Sequence, residues 1–305
     1  MEKISFYAFV SLMLINSLDL NSQQRAQNSV LEIIDVITGE RTVIKEFDKV
    51  IEAPNWTMDG EYLIYNSEGK LYKIRPEPGA QPVEVYPGFA VRCNNDHVLS
   101  PDNKMIAVSN NTKEDGKSRI YTLSFDKGHP TLITAMGESY LHGWSPDYEY
   151  LAYCANRGGN YDVYVIPAIG GEEIRLTDAE GLDDGPEYSP DGKHIWFNSV
   201  RSGLMQIWRM NADGSEQTQM TNDENRNSWF PHVSPNGESI LFIAYAEGDV
   251  SPGDHPADKN VELRLMPASG GEPKTVASLF GGQGSLNVNS WAPDNRRAAF
   301  VSYKK

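Results

Sequence analysis

Cysteine is scarce: Cys93 and Cys154 are the only two among 305 residues. Neither lies in a Cys-x-x-Cys or zinc-type spacing, which removes a thioredoxin-like or zinc-knuckle centre. A disulfide between them has no support, and they are read as two free, partly buried thiols. Basic residues are also few. Lys and Arg number 27 against 42 Asp and Glu, a formal net charge of −15. Such a surface repels phosphate backbones and anionic lipid, so no nucleic acid is expected as a partner. The same balance favours a cationic partner or a metal, or serves solubility alone. No Gly-x-Ser-x-Gly nucleophile elbow occurs. No helical periodicity of useful length occurs either, and no linker divides the chain.

Long apolar runs are missing as well. The longest, Ile4 to Ile15, is broken only by Ser5 and Ser11. It is too short to span a bilayer, so no stable membrane insertion is expected. Lys3 precedes it and a polar stretch, Asn21 to Asn28, follows. A basic start before an apolar run of about 7–15 residues is the pattern of a secretory signal. Residues 1–26 are therefore expected to be a signal peptide, or else a disordered N-terminal tail. The first reading makes the protein periplasmic or secreted.

What the chain has in quantity is one short phrase. Ser189-Pro190-Asp191-Gly192 recurs in degenerate form at Thr57 to Gly60, Ser100 to Asn103, Ser145 to Tyr148, Ser234 to Gly237 and Ala292 to Asn295. Its third positions are Asp59, Asp102, Asp147, Asp191, Asn236 and Asp294, spaced 43, 45, 44, 45 and 58 residues apart. A period of about 40–45 residues is the signature of propeller blades. The clearest copy reads as four strands. Pro186 to Ser189 is extended, then come His194 to Asn198, Gln206 to Asn211 and Glu216 to Thr221, divided by Pro-Asp-Gly, Ser-Gly and Asp-Gly turns. The sixth copy is incomplete, since only Ala298 to Tyr303 follows its turn. Val30 to Val36 and Thr42 to Ile44 supply the missing third and fourth strands, which closes the ring and hides its open edges. The expected fold is all-β: a six-bladed β-propeller of four-stranded antiparallel blades over residues 27–305. The long last step comes from an insertion near 247–260.

The repeat is carried most clearly by Gly143 to Thr177 and Glu187 to Thr221. Its order is Trp/Tyr-Ser-Pro-Asp-Gly, an apolar strand, Ile-Tyr/Trp, Asp-Gly or Gly-Gly, then Leu-Thr. It resembles the TolB-type β-propeller repeat, a WD40-like module. That family includes the propeller of periplasmic TolB, the propellers of prolyl-oligopeptidase-like enzymes, and oligogalacturonate lyases. Fold alone therefore leaves function open. The resemblance implies either a non-catalytic binding or scaffold module in the cell envelope, with an envelope protein or oligosaccharide as partner, or a metal-assisted polysaccharide lyase. No His-x-His pair exists to carry the lyases' metal ligands over.

Candidate site residues follow from the repeat used as a ruler. The innermost strand of each blade should face the central channel, with its first residues at one mouth. Four residues before each turn proline stand Pro54, His97, His142, Pro186, Pro231 and Asn289. Three before it stand Asn55, Val98, Gly143, Glu187, His232 and Ser290. Incoming loops add Arg92, Asp96, Asp183, Asp184, Arg226, Asn227 and Trp229. Imidazoles, carboxylates and amides in one ring suit a divalent metal, with His97, His142 and His232 as its ligands, or a polar ligand held by Asn55, Arg92, Asp183, Asp184, Glu187, Trp229 and Asn289 as well. The plain alternative is a water-filled polar mouth. In the lyase reading His97, His142, Glu187 and His232 hold the metal or act as base. His129, His194 and His255 are read as structural or surface residues. The insertion, with Asp249, Asp254 and Asp258, is read as a solvated loop lacking EF-hand spacing.

Overall fold

The recurring phrase is a self-contained staple in the computed structural model, which describes residues 28–86, 88–125 and 128–304. The expected signal peptide or tail at 1–26 lies outside the described residues. In five of the six copies, all but the one that begins with Ala292, the first hydroxyl donates to the third side chain: Thr57 to Asp59 (2.6 Å), Ser100 to Asp102 (2.7 Å), Ser145 to Asp147 (2.5 Å), Ser189 to Asp191 (2.7 Å) and Ser234 to Asn236 (2.7 Å). The same oxygen accepts the amide five residues on, from Tyr62, Met105, Tyr150, His194 and Ser239, at 2.8–3.0 Å. The turn thus satisfies its own polar groups and starts the next strand. Its fourth residue is left-handed throughout, with φ between 60° and 75° at Gly60, Asn103, Tyr148, Gly192, Gly237 and Asn295.

Tyr148 is the misfit in that series, because a bulky residue there carries backbone strain. Its ring is 46% exposed and contributes little burial in return. Tyr148→Gly is expected to raise stability by about 1 kcal/mol, read as a higher thermal midpoint.

Each turn leads into a four-stranded antiparallel blade. Blade 1 is Glu52–Trp56, Leu63–Ser67, Lys70–Ile74 and Val83–Val85. Blade 2 is Cys93–Leu99, Met105–Asn111, Ser118–Ser124 and Thr131–Leu132. Blade 3 is Ser139–Trp144, Tyr150–Asn156, Tyr161–Pro167 and Ile174–Arg175. Blade 4 is Asp183–Tyr188, His194–Ser199, Gln206–Asn211 and Thr218–Gln219. Blade 5 is Arg226–Val233, Ser239–Ala246, Lys259–Pro267 and Lys274–Gly281. The threonine that ends the repeat, after Ile133, Leu176 or Met220, has a job of its own. Thr134, Thr177 and Thr221 accept the amides of Ile120, Val163 and Ile207 at 2.9 Å each, and so tie the chain leaving the outer strand to the third strand.

Blade 6 is built from both ends of the chain, as the half-copy requires. Arg297–Tyr303 pairs antiparallel with Ser29–Asp35, from Ser29 opposite Tyr303 to Asp35 opposite Arg297, and Arg41–Phe47 lies outside. Its innermost segment is irregular, held by the Trp291–Ala298 bridge and by the amides of Ala299 and Val301 bonding the carbonyls of Ser290 and Ser285. Apolar side chains fill the seams between blades. Leu31, Ile44 and Val301 pack with Trp56, Leu63 and Tyr65. Trp196 packs with Val233 and Phe242 across the next seam but one from the closure. Both cysteines are free and fully buried, deeper than their sequence positions suggest. Among the described residues no helix is long and apolar enough to cross a membrane.

Candidate functional site

Every innermost strand of blades 1–5 breaks register shortly before its turn. The shifts fall between Glu52 and Asn55, Cys93 and His97, Leu141 and Gly143, Asp184 and Glu187, and Trp229 and His232. A bulge re-aims side chains and separates the strand's entry from its paired half. Three bulges contain a left-handed residue at the same position, Ala53, Gly185 and Phe230. At Gly185 no other residue fits, since a Cβ there would lie 2.6 Å from Asn198 Oδ1.

The re-aimed entries enclose a cavity of about 580 Å³ on the propeller axis, to which all six blades contribute. Its wall comprises Glu52, Asn94 to Asp96, Tyr140, His142, Asp184, Phe230 and Asn287, together with Cys154, Tyr161 and Leu182. The insertion at 247–260 supplies a further wall through Gly253 and His255, and Gln283 accompanies them. His255 bonds Gln283 through Nδ1 and packs edge-on against Phe230 (5.1 Å) and Trp229 (4.3 Å). The insertion is therefore anchored over the mouth through His255, a wall residue with partners that the sequence does not reveal.

The cavity is acidic. No Lys or Arg lines it, while Glu52, Asp96 and Asp184 do. His142 Nε2 lies 3.0 Å from Asp184 Oδ1, which also accepts the Gly185 amide at 2.8 Å. Burial opposes charge on His142, but the Asp184 carboxylate outweighs it and holds the imidazole above its usual pKa. Burial likewise works against charge on Asp184, and His142 holds that carboxyl below the usual range. Burial keeps His255 below its usual value and so neutral. Nδ1 of His142 makes no hydrogen bond, although the Asn287 backbone lies nearby.

Asp96 is the least satisfied member. It is 4% exposed, and its carboxylate accepts from Asn94 Nδ2 at Oδ2 (2.6 Å) alone. Burial raises its pKa to about 6. The Asp184 and Glu52 carboxylates add to the rise and His142 opposes it. A folded pKa above the unfolded value means stability that is full below about pH 4 and is lost as pH rises through about 6. Neutral Asp96→Asn is therefore expected to stabilise the protein at pH 7.5 by about 1–3 kcal/mol, with the gain fading at pH 4. Thermal melts at both pH values read this directly.

The structure separates the sequence-derived candidates into two groups. Asp96, His142 and Asp184 line the cavity. The others do not, and His97, His142 and His232 do not converge on one opening. The ladder of blade 2 resumes at His97, opposite Val108, whereas that of blade 3 resumes only at Gly143. His142 is thus left inside its bulge facing the axis. His97 is turned into the protein, with Nε2 3.5 Å from the Ile64 carbonyl and burial lowering its pKa to about 4. His232 faces Glu187 (2.8 Å) and the Leu286 carbonyl (3.1 Å). Glu187 also accepts the Val233 amide and Asn289 Nδ2, both at 2.7 Å. Asn55 bonds the Asn289 carbonyl at 2.6 Å. These four residues staple neighbouring inner strands. Asp183 pairs with Arg201 at 2.6 Å, Arg92 is exposed away from the cavity wall, and Trp229 is buried behind Phe230 and His255. Among the described residues no three His, Cys, Asp or Glu side chains are arranged to hold a metal ion, so the imidazole set does not form a ligand sphere.

Six blades thus form a ring around an acidic, aromatic-lined axial cavity. The pattern of the TolB beta propeller domain family matches residues 142–278. A solved TolB-like protein from Agrobacterium tumefaciens is 44% identical, with a TM-score of 0.86 over 92% of this chain and 99% of that one. The chain belongs to the TolB β-propeller family. The Tol-Pal system protein TolB of Francisella tularensis is 24% identical across 84% of this chain and 58% of its own length, so this chain spans little more than half of that relative. An oligogalacturonate lyase in complex with manganese shares the fold, with a TM-score of 0.52 at 14% identity over 84% of this chain and 74% of that one.

Proposed function

We propose that this protein is a non-catalytic binding module of the cell envelope, periplasmic or secreted, that holds a protein segment or a glycan in its axial cavity. The observation that carries the reading is the cavity itself. All six blades wall it, the insertion closes over it, and its Asp96 carboxylate stays buried with one hydrogen bond. Polar groups left under-satisfied inside a pocket are the usual mark of a surface built for a ligand, since nothing in the folding of the chain rewards them. The envelope assignment follows the Tol-Pal relatives and the expected signal at 1–26. The lyase alternative draws on a likeness of fold alone. A polyuronide would also bring carboxylates to a wall that holds three of its own and no Lys or Arg.

An envelope extract and a glycan array, each probed with wild-type protein and with an Asp96→Asn, Asp184→Asn double variant, test the reading. Retention that the wild type shows and the folded double variant loses is the expected result. Equal retention by both, or none by either, counts against it.

A further inference from the structure

The chemistry of the wall narrows what enters. Glu52, Asp96 and Asp184 face a cavity that no Lys or Arg lines, and the imidazole of His142 is already engaged by Asp184. An acidic cluster alone would be an ordinary solvated feature, but Asp96 is a separate observation. It is 4% exposed, it lines the cavity, and its Oδ1 makes no hydrogen bond. A buried carboxylate in that state is an acceptor waiting for a donor. Aromatic faces stand beside it. Tyr140 and Tyr161 meet at 6.2 Å between ring centroids, and Phe230 stacks on His142 at 5.7 Å. Carboxylates together with aromatic rings are the pairing that holds organic cations, by charge-assisted hydrogen bonds and by attraction to the ring faces. A net charge of −15 steers cations toward the same opening.

We propose that the axial cavity receives a primary ammonium or guanidinium group, with Asp96 as its principal acceptor, Asp184 held ready by His142, and Tyr140, Tyr161 and Phe230 as flanking rings. The proposal rests on the binding-module reading and specifies its ligand. The cavity, at about 580 Å³, has room for more than the charged head. The group can therefore arrive on a free small amine or on a lysine or arginine side chain of a protein segment.

Calorimetric titration of the purified protein at pH 7.5 separates these outcomes. The probes are putrescine, Nα-acetyl-lysine methylamide, Nα-acetyl-arginine methylamide and an N-acetylated, C-amidated Gly-Gly-Lys-Gly-Gly peptide, each amine beside its fully N-acetylated, uncharged counterpart and the arginine probe beside its uncharged citrulline analogue. Charged probes are expected to bind at least about tenfold tighter than the uncharged ones. Asp96→Asn and Asp184→Asn are each expected to weaken them by about tenfold or more. Asp96→Asn should do so while melting at the same or a higher temperature, which rules out unfolding as the cause. A peptide that outbinds the capped amino acid by about tenfold assigns the cation to a protein segment, and equal affinity assigns it to a free amine. Binding unchanged by acetylation, or by Asp96→Asn, overturns the proposal, as does no binding of any charged probe at about 10 mM. A glycan or an uncharged peptide that binds in a cavity-dependent way overturns the cation alone and leaves the binding-module reading standing.

Discussion

Deleting residues 28–47 should abolish folding. The two strands lost carry Leu31, Ile33, Ile34, Ile44 and Phe47, all buried. At about 1.5–3 kcal/mol for each large apolar side chain, their burial contributes roughly 8–15 kcal/mol. That is of the order of the whole stability of a folded domain, about 5–15 kcal/mol. The deletion also leaves Arg297–Tyr303 as an open edge beside an uncovered apolar seam, which invites aggregation. Soluble yield and circular dichroism check the outcome. A circular permutant provides the control. The Lys304 amide bonds the Asn28 carbonyl at 3.1 Å, so the two ends can be joined by a short linker. New ends at Gly158 and Gly159, where a side chain would meet nothing, leave every blade complete. The permutant is expected to fold, because it keeps the same pairing with a different chain order.

The second large effect is at Glu187. Glu187→Ala removes the acceptor for three groups at once, the Val233 amide, His232 Nδ1 and Asn289 Nδ2, in a largely buried site. Breaking a buried charged network by removing one member costs about 3–5 kcal/mol. For a chain of this size that is a fall in melting temperature of roughly 6–15 °C. Glu187→Gln, which keeps one carbonyl acceptor, should lose less. The comparison with Asp96 is informative. Both are buried carboxylates on innermost strands, Asp96 in blade 2 and Glu187 in blade 4. Neutralising the fully bonded one destabilises the protein, and neutralising the under-bonded one stabilises it. Opposite signs distinguish a carboxylate that holds blades together from one kept for a ligand.

These two carboxylates also show how far the site was legible in advance. The blade count, the turns and the closure of the ring all follow from local, periodic features. Ser-Pro-Asp-Gly makes its own hydrogen bonds wherever it occurs, so its spacing reports blade spacing directly. Glu187 and His232 were found by the same ruler, yet their side chains join inner strands instead of entering the cavity. The reason is the bulge. A one-residue shift in register exchanges the two faces of a strand, and nothing in the repeat announces it. Counting six residues back from each turn proline, or from Met58 in blade 1, lands before the paired half of the strand resumes, on Glu52, Asn95, Tyr140, Asp184, Trp229 and Asn287. All of these but Trp229 line the cavity, where Phe230 takes its place. The signal was present at a different offset. The insertion was visible as a long step, but its anchoring through His255 depends on Gln283, 28 residues away, and on Phe230 across the mouth, contacts that no local pattern encodes.

Location of the bound ligand is the most direct test of the account. Hydrogen–deuterium exchange of the protein, with and without a ligand retained from the envelope extract or the array, reports it segment by segment. Added protection is predicted at 94–96, 140–142, 182–185 and 253–255, the entries of the inner strands and the insertion above them. Protection confined to the opposite face, at the turns around 57–60, 100–103 and 189–192, or to the outer strands of the blades, would contradict an axial binding cavity.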